Sequence, residues 1–416
     1  MANPDHSKAP YQRPFFYGLG FLLALSIYAL FAANFYTALG LLTLAVLLGF
    51  RAFPPRFNPL TLKKLQRFKA IRRGYFSFWV IGVLTLLSLF AEFYANNRAL
   101  VVYYEGRFYF PTFSQVYLGD EFGLEGVEAV TPVQYRELDR RWEEKKSGNW
   151  ILLPPIPYSP IENNTMTNEQ GLEIFKPMGP NWKRQHYLGT DKTGRDILSR
   201  LIYGFRVAIL FALAFMILTY LIGVTIGCLM GYFGGVFDIL VQRLIEIWSN
   251  VPFLYMVIII FSVIPTGFDT TTRIGILLGI MVLFSWTGMT YYMRTETYRE
   301  KARDYTAAAQ VLGASTPRII FHHILPNSIS TIVTFMPFTV VSAISAITAL
   351  DFLGLGLPPP TPSLGEMLQQ GRDKITDAPW IISSAFASLV ILLTLVTFVG
   401  EAIREAFDPR KYTIYQ

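Results

Sequence analysis

Long uncharged stretches alternate with short charged ones along this chain, and their lengths predict its architecture. Arg13 to Arg51 encloses thirty-seven residues without a charge, and Arg206 to Asp238 encloses thirty-one. A helix crossing a bilayer takes about 20 apolar residues. Crossings are therefore predicted over 74–91, 207–231, 239–264, 274–293, 328–350 and 380–400. The first apolar run, 14–50, would be about 55 Å long as one helix at roughly 1.5 Å per residue. That is nearly twice a hydrocarbon core of roughly 30 Å. It is read as a helical hairpin breaking near Asn34, with one long tilted helix as the alternative. The pattern thus predicts eight helices, or seven in the alternative.

The polar segments orient these helices. Lys63, Lys64, Arg67, Lys69, Arg72 and Arg73 follow one another with no acidic residue among them, and such a segment stays on the cytoplasmic side. Alternation then puts 96–204 outside, 231–238 inside, 265–273 outside, 293–327 inside, 351–379 outside and the C-terminal tail inside. The 293–327 loop agrees in sign, with five basic residues against three acidic ones. The tail, with Arg404, Arg410 and Lys411 against Glu401, Glu405 and Asp408, is neutral. Within the outer insertion, 101–104 and 107–110 flank Glu105-Gly106, a two-residue β-hairpin turn. A charged helix is predicted over about 135–146, followed by Pro154, Pro155, Pro157 and Pro160.

Composition removes other classes. Apolar residues make up 52% and charged residues 16%, with mean hydropathy +0.37, against about 25% charged in a soluble domain. The net charge of +7 comes with an insertion, 98–200, holding thirteen basic and fourteen acidic residues. The positive excess therefore belongs to the rest of the chain, as a topology signal and not a nucleic-acid patch. One cysteine, Cys228, and four histidines without zinc spacing leave no disulfide framework and no metal cluster. The N-terminus lacks a short apolar region with a cleavage site, so its first apolar stretch is expected to be retained. Gly189 to Asp196 imitates a P-loop, but Arg195 and Asp196 stand where the phosphate-binding Lys and the Mg²⁺-binding Ser/Thr belong. Any nucleotide must be handled by another chain.

The most informative polar segment is 299–327. Ala302, Tyr305, Ala309 and Leu312 recur at helical spacing and predict one apolar stripe. Gly313 suits a left-handed helix end. Thr316-Pro317 reads as the N-cap and first residue of a second short helix, which Pro326 would end. By pattern alone this is also an ordinary amphipathic connection lying on the membrane surface.

Its residues resemble the coupling loop of binding-protein-dependent ABC importer permeases. Ala308, Ala309, Gly313, Leu325 and Pro326 stand in matching positions, and Ala307 replaces the usual Glu. Leu188-Gly189-Thr190-Asp191 with Gly194-Arg195-Asp196 is similar to a block that precedes a span in dipeptide, oligopeptide and nickel permeases of the C type. Gly231 to Gly235 resembles that family's short cytoplasmic turn, and 350–356, with Gly354 and Gly356, resembles its outer FLGLG element. Pro362 to Glu366, Ala378-Pro379-Trp380, Gly400-Glu401-Ala402 and Phe407-Asp408-Pro409 are similar to the microcin C-type branch. The resemblance covers roughly 65–412 and leaves the N-terminal apolar segment without a family role.

The resemblance implies an all-α polytopic membrane protein: a six-helix type I ABC importer permease core, an N-terminal helical hairpin and a small extracytoplasmic insertion. The expected divisions are 1–62 (tail and hairpin), 63–95 (basic segment and first core helix), 96–204 (periplasmic insertion), 205–403 (core, with coupling loop 294–327) and 404–416 (cytoplasmic tail). Asp304, Tyr305, Ala307, Ala308, Ala309, Gly313, Leu325 and Pro326 would couple to an ATPase subunit. Gly189, Asp191, Gly194, Arg195, Asp196, Gly234, Gly235, Gly354 and Gly356 would be structural. Implied partners are a sister permease, one or more ABC ATPase subunits holding ATP and Mg, a periplasmic or lipid-anchored binding protein, and membrane lipid. No cofactor on this chain and no nucleic acid are implied.

Ionisable residues beside the spans are weighed as functional candidates. Asp238, Arg243 and Glu246 begin a span, where Arg243 and Glu246, three apart, are read as a structural pair with a substrate or gating role as the alternative. Glu92, Arg294 and Glu296 are placed at the membrane interface, and His322-His323 is read as a docking or surface feature with pH sensing as the alternative. No span carries two carboxylates suited to a proton relay, which disfavours the rival reading of an ion-coupled secondary transporter. A non-transporting membrane scaffold is the remaining rival.

Overall fold

The computed structural model describes residues 26, 35–52, 59–114, 116–145, 148–163, 166–167, 173–174, 176–264 and 267–408. Its helices are α1 (Phe35–Ala52), α2 (Pro59–Ala70), α3 (Arg72–Leu89), α4 (Tyr135–Lys145), α5 (Ile197–Phe233), α6 (Gly235–Ser249), α7 (Phe253–Val263), α8 (Thr270–Lys301), α9 (Asp304–Val311), α10 (Thr316–Phe352), α11 (Leu364–Asp373) and α12 (Pro379–Phe407). Strands β1 (Val101–Tyr104), β2 (Arg107–Tyr109) and β3 (Trp150–Leu152) form a sheet of order β2-β1-β3, and Met166–Thr167 pairs with Glu173–Ile174.

Among the described residues α5, α8, α10 and α12 are long and apolar enough to cross a membrane. Six crossings result if α2 with α3, bent by 91°, and α6 with α7, bent by 73°, each count as one. All six predicted core spans therefore have a helical counterpart, but 239–264 is not one straight helix. Asn250, Val251 and Pro252 interrupt it, because Pro252 has no N–H to continue the ladder and biases Val251 away from helical geometry. The basic segment before α3 is itself the helix α2. The predicted break near Asn34, and all of the predicted first arm except Ser26, lie outside the described residues; α1 covers the stretch read as the second arm.

The described residues fall into two compact units, one drawn from 1–62 and 82–203, the other from 63–81 and 204–416. In the first, the β1–β2 hairpin forms as its turn chemistry requires. Tyr104 pairs with Arg107, and Glu105 and Gly106 take φ of 47° and 79°, the mirror-image turn that suits strand twist. Helix α4 turns Tyr135, Leu138 and Trp142 inward, and these pack with Ala99, Val102 and Phe122. Tyr104 stacks on Trp142 at 5.4 Å between ring centroids.

The second unit is a helix assembly in which backbone approach sets the packing. Gly223, Gly227 and Gly231 on α5 face successive turns of α8, at Trp286, Thr290 and Arg294. A Cβ at these positions would lie 2.7, 2.6 and 2.6 Å from the carbonyl oxygens of those three residues. Such small-residue stripes let two helices approach closely where lipid offers no hydrophobic driving force. Gly400 on α12 instead faces side chains of α10, where a Cβ would lie 3.1 Å from Pro337 Cβ and 3.2 Å from the Phe338 ring.

Candidate functional site

The predicted coupling loop forms as two helices at a left-handed joint. Helix α9 starts at Asp304 and ends in a Schellman arrangement: Gly313 takes φ +78°, Ala314 N–H donates to the Ala309 carbonyl at 3.0 Å, and Gly313 N–H donates to Gln310 at 3.0 Å. Ser315, not Thr316, caps the next helix, and Pro317 sits in its first turn. Pro326 does not end that helix. Residues Ile319–Ile324 widen into a π-helical register, with Leu325 N–H reaching the Ile320 carbonyl, and α10 continues through Pro326 to Phe352. The wider turn accommodates a residue that has no N–H and would clash in an unbroken α-helix.

The predicted apolar stripe holds only at its centre. Thr306 and Ala309 are buried and Tyr305 half-buried, whereas Leu312 is 87% and Val311 88% exposed, and Ala302 is exposed. The helix has just two turns: Ala302 caps α8 and Leu312 caps α9, so neither continues the rotation that would bring it to the inner face. Ala309 packs against Ile319, Ile324, Ala314 and Tyr232. Asp304, Ala307, Ala308, Gln310, Val311 and Leu312 are left on the outer surface. Ala307, where the resembled pattern carries Glu, is thus a surface position. Leu325 is half-buried and Pro326 exposed.

A polar mount ties this loop to α8. Thr306 Oγ1 donates to the Glu300 carbonyl at 2.8 Å, and Tyr305 OH donates to the Glu300 carboxylate at 2.7 Å. Burial first, then Glu300 accepting its proton, hold the Tyr305 phenol above its ordinary range. Arg299 and Arg303 each lie 3.6 Å from Glu300, and Arg299 also pairs with Glu296. Glu296 is buried among protein atoms, at 8% exposure. Its helix runs straight on to Lys301, which carries that turn into the packed end of the assembly.

Gly234 and Gly235, with φ of +64° and +55°, turn the chain from α5 into α6 beside this mount. Immediately after them, Asp238 accepts both Arg294 nitrogens, Nε and one Nη, at 2.5 Å and Tyr298 OH at 2.7 Å. Lys301 Nζ donates to the Tyr232 carbonyl at 2.5 Å. The Arg243–Glu246 pair forms as expected, at 2.6 Å. Pairing of Asp238 with Arg294, fifty-six positions away, was not foreseen and has no sequence signal. The glycine stripe at 223, 227 and 231 was also missed, although its four-residue spacing was readable. Residues of α5, α8 and α10, among them Thr219, Tyr220, Ser285, Tyr292, Phe335 and Thr339, line a cavity of about 270 Å³.

The remaining predicted positions serve two other turns. In the first unit, the Asp191 carboxylate accepts Thr193 N–H at 2.8 Å, Thr193 OH at 2.8 Å and Arg195 N–H at 3.0 Å. Gly189 and Gly194 supply φ of +81°. Asp196 caps α5 through Ser199 N–H at 2.8 Å, and Arg195 donates to Asn163 at 2.9 Å. In the second unit, Gly354 (φ +74°) ends α10, and the buried Asp351 carboxylate accepts Leu357 N–H at 2.7 Å and the Ser363 hydroxyl. A Cβ on Gly356 would fall on that carboxylate and 2.8 Å from the Asp351 nitrogen. Gly356→Ala is therefore expected to cost about 1–3 kcal/mol, read as a lower unfolding temperature in detergent. Gly354→Ala should cost roughly 1–2 kcal/mol through its left-handed backbone. An unshifted Gly356→Ala transition would show that the Asp351 carboxylate does not pin this turn.

Residues 223–412, which hold the loop, its mount and the glycine stripe, match the family of binding-protein-dependent transport system inner membrane components. The chain belongs to that family: it is a multi-pass inner-membrane permease subunit of a transport system, not an enzyme. The peptidoglycan transport system permease protein YejE of Agrobacterium fabrum is 40% identical over 379 residues, covering 86% of this chain and 95% of the relative. The inner membrane ABC transporter permease protein YejE of Escherichia coli is 40% identical over 358 residues, covering 86% and 99%. The dipeptide transport system permease protein DppC of Haemophilus influenzae is 34% identical over 267 residues, covering 62% and 85%.

Proposed function

We propose that this chain is the permease subunit of an ATP-driven importer that moves peptide-like substrates, oligopeptides and microcin C-like peptides among them, across the inner membrane. It has a type I permease core, and with a sister permease it forms the pathway. A periplasmic or lipid-anchored binding protein delivers cargo to the outer side, where 96–204 lies. The loop 294–327 and the C-terminus face the cytoplasm, and ATP and Mg bind only on the partner ATPase. The peptide class is supported by dipeptide and oligopeptide permeases among the relatives, which match 62% and 55% of this chain.

One observation carries the coupling role. Val311 and Leu312, a large apolar pair, are almost fully exposed at the tip of a two-turn helix whose base is bonded to α8, which is itself tied to α5 through Lys301 and the Tyr232 carbonyl. Exposed apolar surface on a rigidly held element marks a protein contact. An ATPase docked there pulls on α8 through Glu300, and α8 carries the movement along the glycine stripe to α5 and the cavity they line. Such a two-state element is biased by a ligand bound on another subunit.

The test is a pull-down of the tagged chain from detergent-solubilised native membranes. The native chain should recover an ABC ATPase identified by mass spectrometry. Gly313→Pro, which cannot adopt φ +78°, should lose the ATPase while keeping the sister permease. Retention of the ATPase by that variant would place its docking site elsewhere.

A further inference from the structure

The first unit contains a cleft of about 690 Å³, lined among others by Arg136, Arg140, Tyr158, Lys176, Arg184 and His186. That volume lies in the range of small-ligand sites, roughly 300–1,000 Å³. Its floor is built. Tyr158 and His186 are buried and stacked at 3.9 Å between ring centroids. His186 Nδ1 lies 2.8 Å from the buried Asp196 carboxylate, and Tyr158 OH donates to the Arg184 carbonyl at 2.6 Å. Thr190 Oγ1 accepts Met178 N–H at 2.8 Å.

The charges in the wall do not balance. Among the described residues two carboxylates line the cleft, Glu137 and Glu162, and each has an arginine. Glu162 pairs with Arg136 at 2.5 Å, where Arg136 also donates to the Pro157 carbonyl and lies 4.1 Å over the Tyr158 ring. Glu137 pairs with Arg141 at 3.4 Å. Arg140, Lys176 and Arg184 remain, and none has a carboxylate partner among the described residues. Three surplus cations over an aromatic floor, with Val133 and Met178 also in the lining, fit a small ligand with an anionic end and an apolar body.

We propose that this cleft is a binding site for the free carboxylate of a short peptide, held by Arg140, Arg184 and Lys176 over the Tyr158–His186 floor. The choice of a peptide carboxylate rests on the cargo class proposed above. Guanidinium groups hold a carboxylate through charge-assisted, bidentate bonds, so binding should distinguish the acid from its amide.

The test uses the full-length chain in lipid nanodiscs, with isothermal titration of trialanine and of trialanine amide. Trialanine should bind, and the amide should bind about tenfold or more weakly. The double variant Arg140→Ala with Arg184→Ala should show a similar loss, and Arg140→Lys with Arg184→Lys, which keeps the charge without the bidentate fork, should restore only part of the affinity. A size-exclusion profile unchanged from the native chain shows that the variants are folded. Equal binding of acid and amide, an unaltered alanine double variant, or no binding of trialanine by the native chain would each overturn the proposal. The importer reading is scored separately, by ATPase recovery. A chain that recovers the ATPase but ignores trialanine loses only the cleft assignment. A chain that discriminates acid from amide but recovers no ATPase loses the transport role and keeps the carboxylate site.

Discussion

Gly227→Leu is expected to abolish recovery of a monodisperse protein from the membrane. Already the first side-chain carbon at this position would lie 2.6 Å from the Thr290 carbonyl oxygen and 2.7 Å from Met293 Cβ. The obstacle on α8 is backbone, so no rotamer change relieves it, and the helices must separate. Overpacking of a well-packed core costs about 1–3 kcal/mol and occasionally more. With Gly223 and Gly231 one turn away on the same face, separation at 227 opens the whole α5–α8 contact. The cost should therefore reach the top of that range or exceed it. The measurement is the monodisperse fraction on size-exclusion chromatography after solubilisation. Gly279→Leu, on α8 at a position that faces open space, should leave the profile unchanged. Equal profiles for the two variants would mean that the glycine stripe does not set the helix spacing.

Removing the Asp238 carboxylate is expected to have the next largest effect, and to combine instability with lost coupling. Its side chain is 7% exposed and accepts three bonds from Arg294 and Tyr298. Asp238→Ala leaves the Arg294 guanidinium without its carboxylate. Breaking a fully buried pair in this way costs about 3–5 kcal/mol. Arg294 keeps 28% exposure, so water screens part of the loss and roughly 2–3 kcal/mol is expected. Because this cluster joins the start of α6 to the end of α8, ATPase recovery should fall as well. The double variant Asp238→Ala with Arg294→Leu should be more stable than Asp238→Ala alone, since no unpaired charge remains. A thermal unfolding series on the three chains checks this, and an Asp238→Ala transition matching the native one would remove the cluster from the account.

The elements that followed from sequence are those whose causes are local. The Glu105-Gly106 turn needed only two residues that tolerate positive φ between strand-forming runs. Helix α4 needed only its amphipathic spacing, and Gly313 only its place after a short helical run. The spans needed only the length of uncharged chain. Where the expectation failed, the deciding cause lay outside the segment or across its boundary. The stripe through Leu312 assumed that α9 outlasts its two turns, and the capping arrangement at Gly313 stops it first. Pro326 reads as a terminator in isolation, but the π-helical turn before it lets α10 continue.

By itself the sequence determined that the chain is a helical membrane protein with a small folded insertion, and that a glycine joins two short helices in the polar segment between α8 and α10. Both are properties of composition and of short-range spacing, which survive in any fold the chain adopts. Tertiary structure alone decided that Asp238 belongs to Arg294 and Tyr298 rather than to its neighbours on α6. It alone decided which of the cationic residues in the insertion pair with a carboxylate and which, among the described residues, stand over a cleft without one. Charge pairing acts over a few ångströms between residues that can be dozens of positions apart. Only the packing of helix against helix, or of loop against sheet, brings them within that reach.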